Sequence, residues 1–388
     1  MTRHDRTLTA LAATVGSATL VIAASALPAA AATPQYGDAG HGAVFVQLNA
    51  PGGNKIAAYS RAGDGRLTAA VRYSTGGDGG TAVGAPVDAL ASQGSLTLAD
   101  DGGVLLAVNA GSNSVTSFDV HGARLHRESL VASGGKFPVS VAVRGHLVYV
   151  LNGGGAGSVS GFRLRGAHLL PIPGSTRSLG LANTTPPAFL SSPAQVGISP
   201  DGTAVVVATK NNGTIEGFAL HRDGRLSATP KITAAPGPVP FALEWSGTHT
   251  LYVAQAGDGR VVTYAVRADG SAVQRGSSDS SGQAALCWLV RVKDSLVGAN
   301  PGSGTLSTWG IGEHGVATLR KAVAANPGGG PIDLAASRDG RFVYVQDATQ
   351  GTVEVERVGQ GAALGSVQTV TGLPVFGGGA GMEGIAAS

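Results

Sequence analysis

Val104-Leu105-Leu106-Ala107-Val108-Asn109, a turn, then Ser114-Val115-Thr116-Ser117-Phe118: this stretch decides the fold. A short apolar run ends on Asn. A Gly/Ser/Asn turn follows, and a second short run ends on an aromatic. Runs of this length, bounded by turn residues, read as paired strands and not as helices. The same pattern returns along the chain. It appears as Val148-Tyr149-Val150-Leu151-Asn152 with Ser158-Val159-Ser160-Gly161-Phe162, and as Leu251-Tyr252-Val253-Ala254-Gln255 with Val261-Val262-Thr263-Tyr264. A fixed period decides an architecture before any single residue does.

From Ala43 onward the chain divides into seven copies of one unit. The other four copies open at Val44, Val205, Leu296 and Phe342, and their second runs end near Tyr59, Phe218, Trp309 and Val355. Each copy adds a weaker third strand and a fourth strand that often begins at Pro. Asp-Gly pairs recur between strands, as at Asp64-Gly65, Asp223-Gly224, Asp269-Gly270, Asp101-Gly102, Asp201-Gly202 and Asp339-Gly340. Both residues tolerate positive φ, so the pairs favour tight antiparallel hairpins. The hairpins pair each fourth strand with the opening strand that follows it. A period of about 45–60 residues and four-stranded units describe an all-β, seven-bladed β-propeller. The last residues, Met382 to Ser388, read as a fourth strand with no opening strand after it, and Ala43 begins an opening strand with none before it. Pairing the two closes the ring.

Composition agrees with this organisation. Of 388 residues, 61 are Gly, 43% are hydrophobic and 13% are charged. Gly without a three-residue period excludes collagen and fits strand-rich chains with many turns. The formal charge is +3, with no basic stripe and no aromatic–basic interleaving, so nucleic acid is not an expected partner. Arg3 and Arg6, the apolar stretch Leu8 to Ala26 and the small residues Ala30-Ala31-Ala32 have the order of a secretory signal peptide. Residues 1–32 are therefore expected to be removed on secretion, with 33–42 a linker and 43–388 the propeller domain. No membrane association is expected after cleavage, and a monomer is expected. Cys287 is the only cysteine; no internal disulfide can form, and its expected role is a small buried hydrophobe.

The repeat resembles the seven-bladed lactonase propellers, which include 6-phosphogluconolactonase-like proteins and carboxymuconate cyclases. The matching residues are the YVTN-type strand ends (Tyr149 to Asn152, Tyr252 to Gln255, Tyr344 to Asp347), the second-strand aromatics, and Ile198-Ser199-Pro200-Asp201-Gly202. The resemblance covers nearly all of Ala43 to Ser388 and implies chemistry on a lactone or an unsaturated carboxylic acid. Phosphogluconolactonase-like relatives usually carry His and Arg on inner ends of certain fourth strands. This chain departs there. Aligned on their first residue, its fourth strands carry Gln93, Ser140, Gln195, Ala242, Trp288, Asp333 and Glu383 at the third position. None of the nine His falls in this set or two residues beyond it, and neither does any Lys or Arg. A His general base and a phosphate-binding cluster are both hard to place.

These third positions are expected to line a central channel, since alternate residues of a strand share a face. Asp333 and Glu383, in adjacent blades, are acid/base candidates; like charges held close raise one pKa and leave an acid–carboxylate pair. Glu244, two residues further along its strand, is a third candidate, since a buried Glu requires a partner or a function. Gln93, Ser140 and Gln195 are candidate binders of a small-molecule or carbohydrate ligand, and Trp288 a stacking surface for one. Lys210, followed by Asn211 and Asn212, reads as a solvated loop cation. No cofactor and no metal site is expected, for want of His pairs and Cys sets, although Asp333 and Glu383 with loop carbonyls are of the type that holds Ca²⁺. Two connections exceed the rest, Gly76 to Ala89 and the Pro-rich Leu169 to Pro193. Two function classes stay open: a secreted lactonase-type enzyme performing lactone hydrolysis or cycloisomerisation in the channel, and a non-catalytic extracellular propeller that binds a small molecule, glycan or protein.

Overall fold

The protein is described by a computed structural model that covers Met1 and residues 42–99, 102–377 and 381–388. The signal-peptide and linker readings rest on residues 2–41, which lie outside the described residues, as does Asp101. The rest forms seven antiparallel sheets, each a four-strand path; one sheet has a fifth, short strand, Arg177–Ser178, beside Ser158–Arg165. Among the described residues the helical elements are two short 3-10 turns, Lys210–Asn212 and Gln360–Ala362. Blades are numbered here in chain order from the one that contains Gly42–Gln47.

In every blade the strand read as the fourth is innermost and pairs with the opening strand that follows it. Blade 1 is closed by the end of the chain. Val44, Phe45 and Val46 pair with Ala387, Ala386 and Ile385, and Ala43 N–H donates to Ser388 Oγ at 2.9 Å. The ring is thus held by a ladder of backbone hydrogen bonds and an apolar seam, with no covalent link.

The opening strands explain why the deciding stretch is so apolar. Val104–Asn109 is buried at every position because both of its faces are covered by neighbouring blades. The outermost strand of the same blade, Arg124–Ala132, is mostly exposed or half-exposed. Where the run ends on Asn, that residue is a turn fastener. Asn109 Nδ2 donates to Ser114 Oγ at 3.2 Å and Thr116 Oγ1 at 2.9 Å; Asn300 Nδ2 reaches Ser307 Oγ at 2.9 Å. In blade 7 Asp347 reverses the polarity and accepts from Thr349 N and Gln350 N, both at 3.0 Å.

The repeated Tyr joins one blade to the next. Tyr149 OH donates to Gly224 O at 2.6 Å, Tyr252 OH to Gly315 O at 2.7 Å, and Tyr344 OH to Gly65 O at 3.1 Å. In each case the acceptor is the outer turn of the following blade. Gly65 has φ +94, and a Cβ there would collide with the Phe342 ring, so the turn needs Gly for both conformation and space.

Candidate functional site

The seven inner strands converge on the axis with their first residues at one end, where backbone bonds such as Val141 N–H to Gly94 O at 2.8 Å and Gln93 N–H to Ala194 O at 3.1 Å join some of them. Their edge N–H and C=O groups still need partners, because buried backbone polar groups are costly when unpaired. The third-position side chains supply them. Gln93 crosses the axis from blade 2 to blade 6, donating Nε2–H to Leu289 O at 2.7 Å and accepting Leu289 N–H at 3.0 Å. Ser140 Oγ donates to Gln93 O at 2.7 Å and accepts Val196 N–H at 3.3 Å. Gln195 Oε1 accepts Leu243 N–H at 2.6 Å. Asp333 Oδ2 accepts Ile385 N–H at 3.3 Å. Trp288 is buried; its Nε1–H donates to Ser92 O at 2.9 Å, and its ring meets Phe241 edge-on at 5.2 Å. The polar set stitches the inner strands together.

Beyond these strand starts the axis is closed by the segment Ala82–Ser92, whose backbone is gripped from several blades. Asp88 caps its own loop, accepting Leu90 N–H at 3.2 Å and Ala91 N–H at 2.9 Å. Glu383 Oε2 also accepts Leu90 N–H, at 3.0 Å. The Asp88 and Glu383 carboxyls are neighbours, each with one buried oxygen free of other partners, so a proton held between them satisfies both. Lys210 Nζ donates to Ala91 O at 2.7 Å and lies 5.2 Å from the Phe189 ring centroid and 5.4 Å from that of Phe241. Asp88, Glu383 and Lys210 are all 0% exposed.

Burial dominates the ionisation of this end. It raises the carboxyls of Asp88 and Glu383, and the neighbouring Asp88 raises Glu383 further. Burial lowers Lys210 to about 7, against the opposing pull of Asp88, Cys287 and Glu383. The thiol of Cys287, also buried, is pushed up. The structure corrects the solvated-loop reading of Lys210. Its Thr209-Lys210-Asn211-Asn212 run looks polar in isolation, but Lys210 takes φ 51 and sends its amine inward under Ala82–Ser92. Asp88 was not among the sequence candidates. Its signal is a single charge inside the apolar run Val87-Asp88-Ala89-Leu90-Ala91.

The other part of the axis is open space. A cavity of about 390 Å³ is lined from all seven inner strands, including Gln93, Gln195, Glu244, Trp245, Asp333 and Ala387. Of the three acid/base candidates, Glu244 and Asp333 reach this cavity, whereas Glu383 lies in the closed end with Asp88. Ser140 and Trp288 are not part of the cavity wall. Glu244 is half-buried, and burial raises its carboxyl to about 7, with Arg291 opposing. Asp333 is 2% exposed; burial raises it to about 8, with Leu334 N–H and Ile385 N–H opposing and Asp88 adding to the rise. Asp333 has φ 39 at a bulge between Ile332 and Leu334, a left-handed conformation that is costly for a non-Gly residue. Trp245 Nε1 is a buried donor with no acceptor among the described residues. At neutral pH the cavity wall thus offers a protonated carboxyl and a carboxyl near half-ionisation. Among the described residues no group of three or more His, Cys, Asp or Glu side chains has the arrangement of a metal site.

The fold defines a seven-bladed β-propeller. Within it, residues 204–332 match the family model of the lactonase seven-bladed β-propellers. Solved structures of the same fold include the periplasmic gluconolactonase of Pseudomonas aeruginosa, 20% identical, with a TM-score of 0.67 over 87% of this chain and 98% of that one. A putative 6-phosphogluconolactonase from Bacteroides uniformis is 16% identical, with a TM-score of 0.66 over 90% of this chain and 100% of its own. A Lactobacillus plantarum protein is also 16% identical, with a TM-score of 0.69 over 90% and 99%. No curated protein matches the chain in sequence. The chain is similar to lactonase-type propellers in its repeat and its fold.

Proposed function

We propose that the protein hydrolyses a lactone, or carries out the related proton transfers on an unsaturated carboxylic acid, in the axial cavity. The observation that carries this reading is that Glu244 and Asp333 line one cavity with carboxyls raised to about 7 and about 8. Ionised Glu244 takes a proton from water as the water oxygen attacks the lactone carbonyl. Protonated Asp333 gives its proton to the departing ring oxygen, which leaves a hydroxy acid. Burial keeps Asp333 protonated, and Asp88 behind it adds to the effect. Gln93, Ser140 and Gln195 hold the inner strands that shape the cavity, and Trp288 backs it.

Lactone hydrolysis measured on a panel of aldonolactones tests this reading. Glu244→Gln and Asp333→Asn should each abolish most turnover while the fold is retained. Wild-type turnover that survives both substitutions removes the assignment. A wild type that binds sugars or lactones without turning them over instead supports the non-catalytic, ligand-binding reading. Export is proposed as well. It is supported by the Arg3/Arg6 and Ala30–Ala32 pattern, by the periplasmic location in the name of the Pseudomonas protein, and by the lack, among the described residues, of any helix long and apolar enough to cross a membrane. The mass of the mature N-terminus checks it.

A further inference from the structure

A second concave site lies away from the axis, where blade 3 meets blade 4. It is a groove of about 760 Å³, larger than the axial cavity. Blade 3 supplies Arg163 and Arg165 and, on the paired strand beside them, Leu170 (opposite Arg163 in the ladder) with Pro171, Ile172 and Pro173 following; blade 4 supplies Asp223 and Arg225. The excursion is pinned. Arg177 Nη2–H donates to Leu226 O at 2.8 Å and its Nε–H to Ser227 O at 2.9 Å, and Arg225 Nε–H donates to Pro173 O at 3.1 Å across the groove. Arg163 Nη2–H donates to Asp223 O at 2.7 Å, and the rest of its fork makes no further bond among the described residues. The Arg165 side chain makes none among the described residues. The one carboxylate in the lining, Asp223, is paired with Arg225 at 3.5 Å. Two guanidiniums, one of them oriented by a carbonyl, therefore lie beside an apolar strip, and neither forms an ion pair among the described residues.

We infer that this groove binds a carboxylic acid with a hydrocarbon body. The carboxylate lies on Arg163 and Arg165, and the chain lies along Leu170, Pro171, Ile172 and Pro173. An oriented guanidinium matches a planar carboxylate with paired N–H donors. The volume is in the range of small-molecule sites, and Leu170 is 42% exposed when the groove is empty, so covering it with a hydrocarbon is favourable. The inference is independent of the axial chemistry, since the two sites share no lining residue.

Calorimetric titration of the full chain with decanoate, decanol and acetate tests both halves of the recognition. Decanoate should bind at least about tenfold more tightly than the uncharged alcohol or the chainless acid. Arg165→Glu removes no internal bond, and Leu170→Asp places a like charge on the apolar wall. Each should weaken decanoate by about tenfold or more, with thermal unfolding unchanged. Arg163→Gln should do the same and additionally loosen the Asp223 turn. Equal binding of decanoate and acetate, equal binding of decanoate and decanol, or unchanged affinity in both Arg165→Glu and Leu170→Asp overturns the inference.

Discussion

The two ends of the propeller axis use the same materials and come to opposite states. At the closed end Asp88, Glu383, Lys210 and Cys287 are buried together around the segment Ala82–Ser92. At the open end Glu244 and Asp333 face a cavity of about 390 Å³. Charge burial at the closed end holds a loop; charge burial at the open end leaves proton-transfer groups within reach of a ligand. A perturbed carboxyl therefore marks a candidate site when it also borders space. Asp333 is the hinge between the two, since it lines the cavity while its charge couples to Asp88 and Glu383 behind it.

The largest effect separating the ends should be kinetic. Glu244→Gln or Asp333→Asn should lower kcat by about 10²–10⁴-fold, the usual worth of a positioned acid or base. Melting measured alongside should show little change, because both replacements keep volume and remove a burial penalty. At the closed end the loss should appear in stability instead. Trp288→Ala should cost about 3–5 kcal/mol in denaturant unfolding, as a large buried aromatic does. Equal kinetic damage from both sets would erase the distinction.

The pH profiles sharpen the comparison. With Glu244 as base and Asp333 as acid, kcat/KM should rise as Glu244 ionises near 7 and fall as Asp333 ionises near 8. The optimum is then narrow and lies between the two. For stability, Glu244 and Asp333 hold protons in the folded chain that the unfolded chain has already released. The folded state therefore loses stability as pH rises from the ordinary carboxyl values toward 7 and 8. Lys210 runs the other way. Its folded value is near 7 and its unfolded value is 10.5, so the unfolded chain binds the extra proton between them and stability rises with pH across that window. Melting temperature should thus pass through a minimum near pH 7–8. Lys210→Met should remove the alkaline recovery and leave the acid-side decline in place. The smallest effect is expected from Glu383→Gln, which keeps the cap on Leu90 N–H available while removing one shared charge. A change within about 1 kcal/mol, with a shallower acid-side decline, would fit a loop-holding role.

Much of this molecule is visible in one dimension. The Val104–Phe118 pattern, its six echoes and the orphan strand at Met382–Ser388 specify blades and closure, because strand pairing by short hairpins is a local matter. The inner-strand positions were legible too, and so was the adjacency of Asp333 and Glu383 in blades 7 and 1. Their partners were less so. Glu383 meets Asp88, some 300 residues away in sequence, and Lys210 turns inward in a stretch whose composition favours water. Gln93, Ser140 and Gln195 looked like ligand contacts, and each makes a bond between inner strands that no local pattern announces.

The sequence by itself determined the all-β repeat, the number of blades, the ring closure and the polar character of the axis. Only the tertiary structure decided which of those polar groups meet backbone, which meet one another and which meet space. The physical reason is that hairpins and buried strands depend on near neighbours in the chain. The ionisation of Lys210, Glu244 and Asp333 depends instead on burial by other blades, which exists only once the ring has closed.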